Sequence, residues 1–264
     1  MKVGFIGCGN MGQAMLAGML DSSMVSAEDV IVSDKMATAT EKVKTIYGVA
    51  VTDNNCEVVQ QSELVFLAVK PQYFESVLTE IQDVVRKETI LISIAPGKTL
   101  AWLEEKVGKV CKIVRTMPNT PALVKEGMMG ICANAEVTAT ELEQVCQLCN
   151  SFSKTEIVTE NLMDVVTAVS GSSPAYVFMF IEAMADAAVE GGMPRAQAYT
   201  FAAQAVLGSA KMVLETGTHP AVLKDMVCSP GGTTIQAVRV LEEQGMRSAV
   251  MDAMKACLDK SRNM

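Results

Sequence analysis

Along the first 160 residues, short β-branched or apolar runs alternate with segments whose apolar residues recur at helical spacing. Residues 2–6, 29–33, 49–51, 64–68, 89–94, 112–116, 128–132 and 156–158 predict strands. Between them, residues 11–20, 37–47, 57–61, 73–85, 100–106 and 140–151 predict helices. Strands apolar on both faces, alternating with helices, describe a mainly parallel sheet covered on both sides. Right-handed crossovers make this an α/β, doubly wound, Rossmann-like domain.

From about residue 160 the texture changes. Strand-like runs vanish, and Ala, Met and Glu at helical spacing take over. Residues 161–169, 174–190, 195–216, 220–227, 234–243 and 246–260 predict helices. Pro174 and Pro194 sit where a first helical turn tolerates them, and Gly191-Gly192 and Gly217 sit at helix stops. The expected organisation is a doubly wound α/β domain over 1–160 and an all-helical domain over 161–264. With no Pro- or Ser-rich linker between them, the two parts are expected to pack closely or through partners in an oligomer.

Composition narrows the function classes. Of the 264 residues, 22 are Lys or Arg and 30 are Asp or Glu, a formal net charge of −8. Such a surface repels a phosphate backbone, so no nucleic-acid partner is expected. Half the residues are hydrophobic and the mean hydropathy is +0.27, which excludes a disordered chain. The longest apolar run, 175–189, carries Glu182 and Asp186, so no membrane span is expected. The first residues lack the sustained apolar stretch of a signal peptide, and a cytoplasmic location is expected. The apolar excess, rich in small residues and in methionines such as Met179, Met184, Met193 and Met212, calls for a subunit seam. The eight cysteines read as small buried hydrophobes; Cys146-Gln-Leu-Cys149 has no second ligand pair nearby, and no metal is expected.

Two loops carry the chemistry. Gly7-Cys8-Gly9-Asn10-Met11-Gly12 matches G-x-G-x-x-G directly after a strand and opening a helix, the setting a dinucleotide fold requires. Gly7 makes the tight turn, Gly9 admits the diphosphate to the backbone, and Gly12 lets helix and strand pack closely. The second strand ends in Ser33-Asp34-Lys35, with Asp34 twenty-two residues after Gly12. A carboxylate there reads the ribose hydroxyls of NAD, whereas Ser33 and Lys35 suit a 2′-phosphate, so both NADH and NADPH stay open. Ala68-Val69-Lys70-Pro71 closes the fourth strand, and Ala95-Pro96-Gly97 and Met117-Pro118-Asn119-Thr120-Pro121 close the next two at the same level. Ligands in open α/β sheets bind beyond those strand ends. Asn119 either anchors the nicotinamide amide or braces its loop.

The other loop, Ser229-Pro230-Gly231-Gly232-Thr233-Thr234, precedes an amphipathic helix. Its glycines and threonines open successive amides toward one point, a nest suited to a carboxylate, and Thr233 or Thr234 can also cap the helix. Ser170-Gly171-Ser172-Ser173-Pro174-Ala175 has similar chemistry. The two amide clusters are expected to serve one cleft. The lone histidine, His219, reads as part of a helix–helix turn.

Together, residues 5–12, 66–71, 115–121, 170–176 and above all 227–242 resemble the pyrroline-5-carboxylate reductase family. The resemblance implies reduction of 1-pyrroline-5-carboxylate to proline with NADPH or NADH, the last step of proline biosynthesis. It also implies helices intertwined in a homodimer, with dimers able to assemble into decamers. The substrate carboxylate then rests on the loop Ser229, Gly231, Gly232, Thr233 and Thr234. The Thr234 hydroxyl meets the ring nitrogen as the one catalytic side chain, and Asn55 falls near the cofactor ribose. Pro96 and Ser33-Asp34-Lys35 depart from the common pattern. A β-hydroxyacid dehydrogenase of similar build would need a catalytic lysine after a Gly-rich segment near residue 171, yet no lysine occurs between Lys154 and Lys211. A nucleotide sensor without turnover would not need the second loop.

Overall fold

A computed structural model describes residues 1–263 as two compact units. Met1–Ser172 with Cys257–Met264 form one, and Ser173–Ala256 the other. The change of sequence texture near 160 precedes this division. Residues between the two points remain with the sheet: Met163 joins its apolar core, and Gly130 faces Val166 so closely that a Cβ there would lie 2.8 Å from that side chain.

The sheet unit runs β1 (Val3–Ile6), α1 (Asn10–Asp21), β2 (Val30–Ser33), α2 (Ala37–Tyr47), β3 (Ala50–Thr52), α3 (Asn55–Gln61) and β4 (Leu64–Leu67). It continues with α4 (Phe74–Ile81), β5 (Ile90–Ser93), α5 (Leu100–Val107), β6 (Lys112–Met117), β7 (Gly127–Ala133), α6 (Ala139–Cys149) and β8 (Ser153–Ile157). The strand order is β3-β2-β1-β4-β5-β6-β7-β8. All neighbours are parallel except β6 and β7, so the sheet is mainly parallel as expected. β1, β2, β4 and β5 are buried at every position because helices cover both faces, which is why they read as continuous apolar runs. Phe5 and Phe66 stand opposite each other in register with rings stacked 4.9 Å apart, a pair worth about 1 kcal/mol beyond its area.

After the sheet come a short α7 (Met163–Val166) and a π turn, Thr167–Gly171. The helical unit contains α8 (Ser173–Glu190), α9 (Arg195–Thr216), α10 (Pro220–Val227), α11 (Thr233–Glu243) and most of α12 (Met246–Arg262). Its small core joins α8 and α9 through Ala185, Ala198 and Ala202, where small side chains let helices approach. Large apolar side chains stay outside: Phe178, Met179 and Phe201 are all more than 60% exposed. The last turns of α12 belong to the sheet unit, where Cys257 Sγ donates to Ser172 Oγ at 3.2 Å and Ser261 Oγ to Asp164 Oδ1 at 2.8 Å.

Several boundaries differ from expectation for local reasons. Helix α4 starts at Phe74 because a 3-10 turn occupies Pro71–Tyr73, and it ends at Ile81 where Val84 and Val85 both donate to the Ile81 carbonyl. The continuous helix expected over 161–169 is broken into 3-10, α and π segments. Glu160–Glu190 is long and apolar enough, by length and composition, to cross a membrane, which corrects the expectation that no stretch passes that test. The stretch contains the π turn and carries Glu182 and Asp186.

Candidate active site

The parallel pairing sets the site. Ile6 is in register with Ser33 and with Leu67, Leu67 with Ser93, and Ser93 with Arg115. The strands therefore all end at one edge, and Gly7–Gly12, Ser33-Asp34-Lys35, Ala68-Val69-Lys70-Pro71, Ala95 and the Met117–Asn119 turn leave the sheet side by side. The chain steps outward from β1 to β2 and β3, then crosses back to β4. The crevice opens at that reversal.

Gly7 is held by two constraints. Its φ is +98°, and an added Cβ would lie 2.7 Å from the carbonyl carbon and oxygen of Ala68. Its amide donates to the Ser33 carbonyl at 2.8 Å, which ties the turn to β2. Gly12 presses on the turn from the helix side; a Cβ there would lie 2.7 Å from the Gly7 carbonyl oxygen. Gly9 caps α1, and a Cβ there would meet nothing within 4 Å. No side chain caps this helix and no acidic residue lies in its first turn. Asn10 is exposed and Met11 half-buried, so the positive end of α1 faces open space with its first amides free of side chains. This cradle fits the diphosphate of a dinucleotide.

Around it, the side chains divide into those turned inward and those left available. Asp34 is half-buried and accepts from the Cys8 amide at 2.9 Å and the Met36 amide at 2.9 Å. Cys8 Sγ also points at it from 3.6 Å. Burial, with the Asp34 charge beside it, pushes the Cys8 thiol up to about 12, so it stays protonated. Ser33 is buried and its hydroxyl donates to Asn55 Oδ1 at 2.7 Å, while Asn55 Nδ2 donates to Glu80 Oε2 at 2.8 Å. Glu80 escaped the sequence reading, since the chain Ser33, Asn55, Glu80 joins three elements and leaves no local motif. Lys35 is exposed, with its ammonium 5.5 Å from the centre of the Tyr73 ring. Lys70 is exposed, Ala68, Val69 and Pro71 are half-buried, and Ala95 is buried with its amide donating to Ser93 Oγ.

Asn119 braces. Its Oδ1 accepts from the Met128 amide at 2.9 Å and its Nδ2 donates to the Ser170 carbonyl at 3.0 Å, so both ends of the amide are engaged. The partner turn carries the π segment, and a Cβ on Gly171 would lie 2.6 Å from Met117 Cε. The Ser170 hydroxyl bonds back to the Val166 carbonyl. Arg115, 4% exposed, donates to Glu160 Oε1 at 3.0 Å, and the same oxygen accepts the Leu100 amide.

In the helical unit, the cap of α11 is Gly232, so the expectation that Thr233 or Thr234 caps it is corrected: both threonines lie inside the first turn. Gly231 has φ +69°, and the Gly232 amide donates to the Ser229 carbonyl at 3.0 Å, closing the turn. The Ser229 hydroxyl sits against Gly232 where a Cβ would be. As at α1, no side chain caps the helix and its first turn has no acid. His219 caps α10, its Nδ1 accepting from the Ala221 amide at 3.2 Å. Burial pushes the thiols of Cys146 and Cys149 up, the direction opposite to a reactive pair. Among the described residues no cluster is suited to a metal ion.

A glycine turn at the switch point of a parallel sheet, with an uncapped helix behind it, defines a dinucleotide-binding protein. Comparison with known proteins narrows the class. A family model for NADP oxidoreductase, coenzyme F420-dependent, matches residues 2–97, and one for pyrroline-5-carboxylate reductase dimerisation matches 160–264. The pyrroline-5-carboxylate reductase of Escherichia coli (strain K12) is 52% identical, the match covering 100% of this chain and 98% of that one. Among solved structures, the Plasmodium falciparum pyrroline carboxylate reductase with NADP bound has a TM-score of 0.89 at 34% identity, covering 100% of this chain and 97% of that one. The Coxiella burnetii pyrroline-5-carboxylate reductase has a TM-score of 0.92 at 33% identity, covering 99% and 97%. The chain belongs to the pyrroline-5-carboxylate reductase family.

Proposed function

We propose that this protein reduces 1-pyrroline-5-carboxylate to L-proline with NADPH or NADH. The observation that carries the reading is the intact Ser229–Thr234 loop at the uncapped start of α11, in a chain that matches reductases of this substrate over its whole length. When bound, the reduced nicotinamide supplies the hydride that adds to the imine carbon. The chain's own residues bind and orient. The amides of Gly9 to Gly12 receive the diphosphate. The amides of Gly231 to Thr234, with the Ser229 and Thr233 hydroxyls, receive the substrate carboxylate. The Thr234 hydroxyl, half-buried and not spent on capping, meets the ring nitrogen. An imine nitrogen protonated from solvent needs no general acid from the protein, which suits a chain whose one histidine caps a helix. Cys8, Ser33, Asp34, Lys35, Asn55, Lys70, Ala95 and Met117 surround the cofactor or hold those that do.

In this reading residues 1–160 hold the cofactor, while 161–264 hold the substrate and associate with a second copy, cytoplasmic dimers being able to gather into decamers. The exposed Phe178, Met179 and Phe201 support self-association. Purified protein mixed with 1-pyrroline-5-carboxylate and NAD(P)H should oxidise the cofactor and release proline, while a β-hydroxy acid with NAD(P)+ should not react. Thr234→Ala should cut kcat/KM about tenfold or more, the worth of one hydrogen bond to a charged partner. Unchanged turnover and KM would remove Thr234 from the mechanism.

A further inference from the structure

We infer that Asp34 makes this chain prefer NADH over NADPH, its carboxylate accepting the adenosine ribose hydroxyls and turning away a 2′-phosphate. The inference rests on the nucleotide reading of the Gly7–Gly12 loop.

The carboxylate stands at the end of β2, directly beside that loop, and is fixed from two sides. The Cys8 amide donates to Oδ2 and the Met36 amide to Oδ1, each at 2.9 Å. A carboxylate offers about four acceptor positions, so two backbone donors leave room for ribose hydroxyls, which can donate. A 2′-phosphate is an acceptor without a proton to give. Beside Asp34 it would meet a like charge and no hydrogen bond, in a half-buried place where screening is reduced.

The neighbouring polar groups of the turn have other contacts. The buried Ser33 hydroxyl donates inward to Asn55, whose amide in turn donates to Glu80. Releasing Ser33 would break that chain. Lys35 is the exposed cation of the same turn, and its ammonium lies over the Tyr73 ring, 5.5 Å from its centre. Glu80 adds a further negative charge behind Asn55. The fixed groups at the end of β2 therefore favour two hydroxyls over a phosphate ester.

Fluorescence titration of the intact protein with NADH and with NADPH tests this without turnover. NADH should bind at least about tenfold more tightly, and 5′-AMP should displace it better than adenosine 2′,5′-bisphosphate. Asp34→Asn, close in shape and uncharged, should narrow the NADPH/NADH ratio at least about tenfold, mostly by tightening NADPH. Equal or tighter binding of NADPH by the unaltered protein overturns the inference, as does an Asp34→Asn variant that weakens both cofactors in the same proportion, since that marks a brace and not a reader. If neither cofactor titrates, the nucleotide reading of the loop falls first, and the inference with it. The wild-type comparison decides even if the variant does not fold.

Discussion

The two units solve the burial of apolar surface in opposite ways. In the sheet unit four consecutive-register strands, β1, β2, β4 and β5, are buried at every residue, and two apolar layers line the two faces of the sheet. In the helical unit the eighteen-residue α8 buries only Ala185, and α10 and α11 bury nothing within the chain. A unit built like the first buries its apolar strands within itself. The second leaves Phe178, Met179, Phe201, Leu214, Met226 and Met251 in water, more apolar surface than a solitary helical bundle carries without a partner. Its match to a dimerisation family supplies the partner: a second copy.

That contrast can be broken at defined places. The largest effect is expected at Gly7, where φ of +98° and the Ala68 carbonyl both exclude a side chain. Gly7→Ala should cost about 3 kcal/mol in chemical denaturation and abolish nucleotide binding by fluorescence titration. Full stability with intact binding would show that the turn tolerates another path. Next, Phe201→Glu places a charge on the exposed face of the helical unit; if a second copy covers that face, self-association should weaken about a hundredfold, about 2.7 kcal/mol, seen as a fall in mass on dilution by light scattering. An unmoved mass would put Phe201 outside the seam. Gly231 has a positive φ like Gly7, but an added Cβ would meet nothing within 4 Å. Gly231→Ala should therefore cost only about 1 kcal/mol, and a loss near that of Gly7→Ala would mean that the loop is packed in the assembly.

The smallest effect concerns pH. The Lys112 ammonium bonded to Glu141 holds that carboxyl below its ordinary 4.5, helped by the Thr138 amide. A depressed carboxyl contributes stability that is present above 4.5 and lost as pH falls through the lower folded value. Glu141→Gln should remove about 0.5 kcal/mol at neutral pH and flatten the acid limb of a denaturation profile. An unchanged acid limb would show that the pair adds nothing.

Most of the sheet was legible because a strand covered on both faces is an unbroken apolar run, and most ends moved by one or two residues. β8 was the weakest signal: Ser153 is its one buried position, and the rest of this edge strand is polar or exposed, so only its end was read. The reversal of β7 against β6 left no trace, since a buried strand reads alike in either direction. The π turn was hidden because Thr167-Ala168-Val169 continues the helical pattern, while the residues it packs against, Met117 and Asn119, lie far away in the chain. In the site, the glycine loops were readable from local rules. Whether Ser33, Asp34 or Lys35 faces outward was not, because that depends on Asn55 and Glu80 coming from other elements.

The contact between Cys257 and Ser172 has a topological meaning. The helical segment departs from the sheet unit after Ser172 and rejoins it at Cys257, and these two side chains touch. Seen this way, residues 173–256 are a cassette whose entry and exit share one doorway, so it can be lengthened, exchanged or re-paired with another copy without rethreading a single strand.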